Sequence, residues 1–488
     1  MSSGLPPNLT YFMQRLQGVS TSHFKVYPQN TGSQTANKIV RFELPSNSLM
    51  NLRSIRILFN ASAVSAGAGT SRLPNDTRSF IDRMAIYMGG VLVQNSFSNY
   101  NVLVHAQKAL GADRCTDTTL THQEIVRVTS YHNGATLTDK EEYTTPDVQL
   151  AITDFLGFLG SAEPSIIDSG IFPQITLEIT LADNVICPSI TSAAATTLPT
   201  TSKTGGFCDT STAGSSYTLS DMTLQLEVLG MASSMLDEVV AQRISQVGYL
   251  SIPFKNYFSF SSTHNNTSRF NINSASWSKL WVCWRAAANS SAAAPQAVAG
   301  HKIAGAFVSA AGGSVATQAA APATSAGVVG QTGFSVTQDM GKPQYDIGGT
   351  YNTNSERYVS RFFNYEEVNA TPTTTPTTFQ LQINSANYPA YKLTVPEVYT
   401  LTMNSIDIYD KSRMMSLDQY RKNFFVQCYR FDLPEASYSR VASGLDTRAS
   451  SAQCALVTEN ITANTPCFMF CECDSELRVA NRAIELIN

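Results

Sequence analysis

The sequence predicts an all-β protein assembled from a duplicated antiparallel domain, with long low-complexity loops and a few short helices. Three observations support this. Apolar residues recur at every second position, several short blocks occur twice in one order, and the stretches between them are rich in Ser, Thr, Ala and Gly. Alternation is clearest at Ile175, Leu177, Ile179 and Leu181, with Thr176, Glu178 and Thr180 between them. Met222, Leu224, Leu226 and Val228 repeat the pattern, as do Val40, Phe42 and Leu44, and Phe379, Leu381 and Ile383. Successive strand side chains point to opposite faces, so such runs make half-buried antiparallel strands. Many of them, separated by turn-rich segments, predict sandwiches or jelly rolls.

The repeated blocks set the domain organisation. Arg41-Phe42 opens a strand-like run through Leu52, Ile55 and Ile57, and Arg269-Phe270 opens another through Leu280 and Val282. Met88-Gly89-Gly90 recurs as Ile347-Gly348-Gly349. Tyr217-Thr218-Leu219, followed by Leu236-Asp237, recurs as Tyr399-Thr400-Leu401, followed by Leu417-Asp418. Three blocks in one order predict duplication. The spacings differ through low-complexity tracts at 286–330 and 191–216, where surface loops absorb insertions at little entropic cost. A Thr/Pro tract at 370–378 reads as a spacer. Helical spacing is confined to Leu9, Phe12, Met13 and Leu16, and to Leu236, Val239, Val240 and Ile244.

Composition narrows the function classes. The 488 residues accommodate two large cores. Charged residues make up only 14% of the chain, against roughly 25% on average, which fits a surface covered by copies of itself. A net charge of −4, without any Lys/Arg run, argues against direct nucleic-acid binding. Nine cysteines without paired spacing, behind a start that lacks a signal peptide, predict free thiols in a reducing interior. No apolar stretch approaches the ~20 residues of a membrane span, and Ser2 replaces the glycine that myristoylation requires. The expectation is a soluble protein made inside a cell and not addressed to a secretory route.

No residue set carries a catalytic signature. Cys467, Cys471 and Cys473 share strand parity with Met469, while Phe468 and Phe470 face the other way. Their spacing is not that of zinc ligands, so buried thiols are expected. Asp446-Thr447 resembles an aspartic-protease turn, but Arg448 stands in place of glycine and the motif has no second copy. His23, His105, His122, His132, His264 and His301 are scattered, without a nucleophile or metal pattern. Trp277, Trp281 and Trp284 read as strand residues anchoring the second core rather than a sugar-stacking platform. The sequons at Asn8, Asn60, Asn75, Asn265, Asn266, Asn289, Asn369 and Asn460 are what an Asn/Ser/Thr-rich chain generates by chance.

From about residue 38 onward the chain resembles the double jelly-roll major capsid proteins of the lineage that includes adenovirus, tailless membrane-containing phages, virophages, polinton-like viruses and algal DNA viruses. Five segments carry the resemblance: Arg41–Leu44 through Ile57, the Tyr87–Val91 glycine turn, Arg269–Ile272 with Lys279–Val282, Ile347–Val359, and Tyr429–Phe431 leading to Ser443–Ser451. Ser274-Ala275 stands where the large-virus branch often has histidine-proline.

The resemblance implies two tandem eight-stranded antiparallel jelly rolls: an N-terminal arm over 1–35 bearing the 9–16 helix, roll 1 over 36–250 and roll 2 over 251–488. It implies a structural major capsid protein forming homotrimeric, pseudo-hexameric capsomers of an icosahedral DNA virus. No catalytic residue, cofactor or metal belongs to that role. The implied partners are neighbouring capsomers, penton and minor capsid proteins, and an internal membrane or inner layer under the arm. The implied location is the virion capsid, assembled inside the infected host cell. Long connections at 104–216 and 286–333 are the expected outward towers. Two other readings compete: a tandem β-sandwich adhesin or carbohydrate-binding fibre, and a β-rich glycoside hydrolase whose carboxylates only the fold brings together.

Overall fold

The computed structural model describes residues 20–64, 69–71, 73–74, 76–111, 128–133, 136–141, 149–187, 189–191, 216–230, 242, 245–246, 248–285, 297–299, 358–363, 365, 367–371, 374–384, 386–406, 417, 420–421, 424–432, 444–448, 453–480 and 483–488. The 9–16 helix lies outside them, as do the 286–330 tract except the strand Ala297–Ala299 and nearly all of the 234–244 helix.

Eight strands form the main path through the first roll's two sheets, beside the short strands Gln34–Thr35 and Ile166–Asp168: β1 (Ser20–Val26), β2 (Ile39–Glu43), β3 (Leu49–Val64), β4 (Ile81–Met88), β5 (Val91–Ser98), β6 (Leu150–Ile152), β7 (Ile175–Leu181) and β8 (Ser216–Gly230). Eight more build the second: β9 (Leu250–His264), β10 (Thr267–Asn271), β11 (Trp277–Trp284), β12 (Thr378–Ile383), β13 (Ala386–Thr394), β14 (Val426–Arg430), β15 (Gln453–Glu459) and β16 (Thr465–Ala480). In the first roll the sheets run β1-β8-β3-β6 and β2-β7-β4-β5; in the second they run β9-β16-β11-β14 and β10-β15-β12-β13. Adding eight to each label of the first roll gives the second, so both have one winding. All pairings between these strands are antiparallel. This winding places the connections β1–β2, β3–β4, β5–β6 and β7–β8 at one end of the roll. Consistent with that, Gly69–Ser71 in the β3–β4 connection pairs with Ser189–Thr191 in the β7–β8 connection.

Strand patterns follow the alternation in the sequence. β2 and β10 both alternate exposed and buried residues, sending Phe42 and Phe270 into their cores and leaving Arg41 and Arg269 outside. In β7 the alternation places Ile175, Leu177, Ile179 and Leu181 in the core, while Glu178 on the other face pairs with Arg41 at 2.7 Å. The β4–β5 hairpin closes through Gly89 and Gly90, at φ 57° and 85°. Positive φ at both positions is what a two-residue hairpin turn with the correct twist requires.

Among the described residues three α-helices are complete enough to bound: α1 (Tyr100–Gly111), α2 (Phe158–Ser161) and α3 (Val395–Ser405). α1 follows the fifth strand of roll 1, and α3 follows the fifth strand of roll 2. The α3 start was legible as Thr394-Val-Pro-Glu397, and in the fold the Thr394 N–H and hydroxyl both donate to Glu397 Oε2 at 2.7 Å. Sequence reading nonetheless found neither α1 nor α3.

Two expectations need correction, and one boundary moves. Of the repeated blocks, Arg41-Phe42 and Arg269-Phe270 occupy matching strands. Tyr217–Leu219 lies in β8, whereas Tyr399–Leu401 lies in α3. Gly89-Gly90 turns β4 into β5, whereas 347–349 fall in the β11–β12 connection and outside the described residues. The expected tower at 104–216 contains β6 and β7, two strands of the roll body. Within the span assigned to an arm, Ser20–Val26 is a strand paired along its full length with β8.

Candidate functional site

An apolar contact joins the two rolls. Sheet β9-β16-β11-β14 has two covered faces. Toward its own roll it turns Cys467, Met469, Cys471 and Cys473, packed with Trp277 and Trp284; the latter two meet Phe270 and Phe379 of the opposing sheet. The opposite face carries Tyr257, Phe468, Phe470 and Trp281, and it receives the first roll. Phe97 of β5 stacks on Tyr257 at 5.1 Å and meets Phe470 edge-on at 5.8 Å. All three rings are buried. Each such side chain contributes about 1.5–3 kcal/mol through burial, and aromatic pairing adds roughly 0.5–1.5 kcal/mol.

Polar bonds fix the register of this contact. Ser98 N donates to Ser259 Oγ at 3.1 Å, and Lys255 N donates to Ser161 Oγ at 2.8 Å. Glu163 N donates to the Pro253 carbonyl at 3.0 Å, so residues beside α2 cap the free edge of β9. An uncapped strand edge is an open template for pairing. Further along, Tyr365 Oη donates to the Val102 carbonyl at 3.1 Å, and His105 lies flat on Phe363, with ring centroids 3.8 Å apart. α1 is therefore buried on every side whose residues are described, from Tyr100 to Ala106.

Charges near the contact are paired or stacked. Burial opposes charge on Lys255, but Glu472 at 3.7 Å and Asp474 at 2.6 Å outweigh it and raise its pKa. Arg285 sits between the rings of Phe362 and Phe468, with Cζ 3.8 Å and 4.6 Å from their centroids. Its burial brings the guanidinium pKa down to about 10.

The residues singled out by sequence divide as follows. Cys467, Cys471 and Cys473 are buried free thiols, and burial pushes all three pKa values up. Trp277, Trp281 and Trp284 are all buried; Trp281 Nε1 donates to Glu472 at 3.3 Å inside the roll–roll contact. Asp446 is exposed and bonded by Arg448 at 2.9 and 3.1 Å, which holds its carboxyl down at about 2. Thr447 is buried and ties to both the N–H and the carbonyl of Ser274, so the pair acts as a structural latch. His264 is buried between Ser268 and Thr458, His23 is exposed on β1, and His122 and His301 lie outside the described residues. His132 falls within the strand Val128–Asn133. Among the described residues no group of three or more His, Cys, Asp or Glu could hold a metal ion, and no helix is long and apolar enough to cross a membrane.

Sequence reasoning missed the second covered face of β16. The signal was there: 467–471 reads Cys-Phe-Met-Phe-Cys, a run without alternation, which marks a strand buried on both sides.

No protein-family model matches the sequence, and no curated protein does. Solved structures do match by fold. A chain of the PBCV-1 virus capsid quasi-atomic model superposes with a TM-score of 0.51 at 10% identity, over 96% of this chain and 97% of that one. The Faustovirus major capsid protein gives a TM-score of 0.51 at 10% identity, over 95% of this chain and 91% of that one. PBCV-1 VP54, fitted into a reconstruction of the virophage Sputnik, gives 0.50 at 12% identity, over 96% and 97%. With two identically wound rolls in tandem, the chain has the fold of the double jelly-roll major capsid proteins.

Proposed function

We propose that this chain is the repeating tile of an icosahedral DNA-virus shell, a non-catalytic major capsid protein that assembles as a homotrimer. One observation carries the reading: two rolls of identical winding are fused through an apolar, interlocked contact. A chain of two equivalent lobes presents six lobes per trimer and tiles a surface as a near-hexagon. The full-length fold likeness to the PBCV-1 and Faustovirus capsid proteins supports it.

In this role the shape and the interfaces are the function. Neighbouring capsomers, penton and minor capsid proteins are the partners. The segment before Ser20 would reach beneath the shell to neighbours or to an inner layer or membrane. The β5–β6 and β7–β8 connections of roll 1 and the β11–β12 connection of roll 2 would form the towers. The protein would reside in the virion capsid, after assembly in the infected host cell.

The test is mass and shape in solution. Light scattering on purified protein is expected to give three chain masses, and negative-stain images a hexagonal outline. A monodisperse monomer at every concentration would overturn the reading.

A further inference from the structure

We infer that Arg285, buried at the seam between the two rolls, is the receptor for a small free oxyanion of the phosphate or carboxylate kind, gripped by the Nε and Nη2 edge of its guanidinium. The inference stands apart from how copies of the chain assemble.

Arg285 follows directly on β11, its N–H donates to the Pro466 carbonyl at 3.2 Å, and it is 2% exposed. The rings of Phe362 and Phe468 take its guanidinium between them. Such stacking fixes the plane of the group and leaves its edge for hydrogen bonds. Tyr365 takes one of these bonds, and its Oη donates in turn to the Val102 carbonyl of α1 at 3.1 Å. The guanidinium is thereby tied into the joint with roll 1. Nε and Nη2 remain: both are buried, and neither has a hydrogen-bond partner among the described residues. Buried donors in native proteins are satisfied with few exceptions, and a buried charge above all needs a counterpart, so an orphaned pair calls for a bound water or ion.

Other arginines of the chain show what this edge takes. Nε and Nη2 point to the same side of a guanidinium and form a fork that fits two oxygens. Arg78 closes the fork on Asp76 at 3.1 and 3.0 Å, and Arg448 closes it on Asp446 at 3.1 and 2.9 Å. Arg478 directs the same two nitrogens to Glu476 at 3.1 and 2.8 Å. All three side chains are more exposed than Arg285. Their charge follows the pairing. At Arg78 burial opposes the charge, but Asp76 outweighs it and raises the pKa; at Arg285 burial prevails. The most deeply buried of the four forks is the one without its oxygens.

The occupant follows from the donors. Two parallel N–H groups in one plane match a pair of oxygens on one carbon or phosphorus, which a carboxylate or a phosphate supplies and a halide does not. Phe362, one ring of the sandwich, is partly exposed, so solvent lies one ring away from the guanidinium. An anion that binds the folded chain and not the unfolded one stabilises it by mass action. Here that gain falls on the seam, because Tyr365 links Arg285 to α1.

The test uses the full chain in a zwitterionic buffer free of oxyanions. Inorganic phosphate and, separately, acetate are titrated by calorimetry, with chloride at matched ionic strength as the control. The wild type is expected to take up one anion per chain, and its melting temperature to climb with the logarithm of the concentration of that anion; the tighter of the two probes names the class. Arg285→Met is expected to bind neither. Arg285→Lys keeps the charge and loses the fork, so at least about tenfold weaker binding is expected, and this variant carries the comparison if Arg285→Met does not fold. A chain that keeps its anion through purification would instead release one equivalent on unfolding in urea, detected by ion chromatography, which supports the site equally. A wild type that neither takes up nor releases an anion would overturn the inference and assign the fork to a group of the protein itself. Binding that survives unchanged in the variants, or stabilisation by chloride to the same extent, would overturn it as well.

Discussion

The outer faces of two equivalent sheets differ in almost every residue. In roll 2 the central rows read Tyr257–Glu472–Lys279 and Ser259–Phe470–Trp281; in roll 1 they read Lys25–Gln225–Arg56 and His23–Glu227–Asn51. The winding is one and the same, so the backbone does not decide what a face does. The neighbour decides: the face covered within the chain carries aromatic rings, with its charges paired, and the face left to solvent in the single chain carries only polar and charged side chains in these rows. The helices teach the same lesson, with α1 buried from Tyr100 to Ala106 and α3 open on one side.

The strongest way to break this contrast is to make the covered face resemble the open one. Phe470→Lys puts an unpaired ammonium between Tyr257, Phe97 and Trp281. Unpaired buried charge belongs to the rare class of changes costing more than about 4–5 kcal/mol. The variant is expected to be insoluble, or to melt far below the wild type in a thermal scan. A folded variant with a wild-type melting temperature would show that this face is not closed.

Truncation should cost less and discriminate more. Phe97→Ala removes the ring that bridges the rolls, and Trp281→Ala leaves Glu472 without its indole donor. Each is expected to cost about 3–5 kcal/mol in urea unfolding. If Trp281 served a glycan-binding fibre instead, its loss would abolish sugar binding and spare stability. Its burial inside the roll–roll contact predicts the reverse.

Much of this was written in the chain, though not always where it was first read. Duplication was legible, yet one of the blocks that pointed to it occupies unlike elements: a Tyr-Thr-Leu string is a strand in β8 and a helix in α3. Three-residue strings carry little conformational information, because a strand and a helix accept the same residues when tertiary packing differs. The periodic signal was sound wherever one face meets water, as in β7. It was silent on the contact that matters most, because α1 and β16 are covered on both sides and show no period to read. The sheet order itself could not be read, since it depends on pairings such as β1 with β8, about 200 residues apart.

Acid offers a way to sharpen the contrast between the two cores. His264 lies in roll 2, buried, with Nδ1 2.6 Å from Ser268 Oγ, Nε2 2.7 Å from Thr458 Oγ1, and its ring edge-on to Trp284. Burial lowers its pKa from 6.5 to about 4. The unfolded chain therefore binds a proton that the folded one excludes. The stability tied to neutral His264 is complete above pH 6.5 and is lost as the pH falls towards 4, up to about 3 kcal/mol. Urea midpoints at pH 7 and pH 4.5 should show this loss in the wild type and a shallower slope in His264→Gln. Because the rolls share an apolar contact, both are expected to unfold in one transition. Equal pH slopes for the two proteins would remove His264 from the account.

The smallest effect is the one on which the comparison finally turns. Gln225→Lys on β8 introduces the same ammonium as Phe470→Lys, at the centre of the corresponding face, between Lys25 and Arg56. On an open, hydrated surface the added charge is screened, and like-charge repulsion from two flexible side chains is weak. A change within about 0.5 kcal/mol is expected, the ordinary scale for surface substitutions. The measurement is chemical denaturation of the dissociated chain, diluted until light scattering reports one chain mass. The large loss at Phe470 beside a negligible one at Gln225 would then measure the difference between a face closed by its own chain and one left open. If Gln225→Lys costs as much as Phe470→Lys, some part of the same chain covers both faces, and the contrast between them disappears.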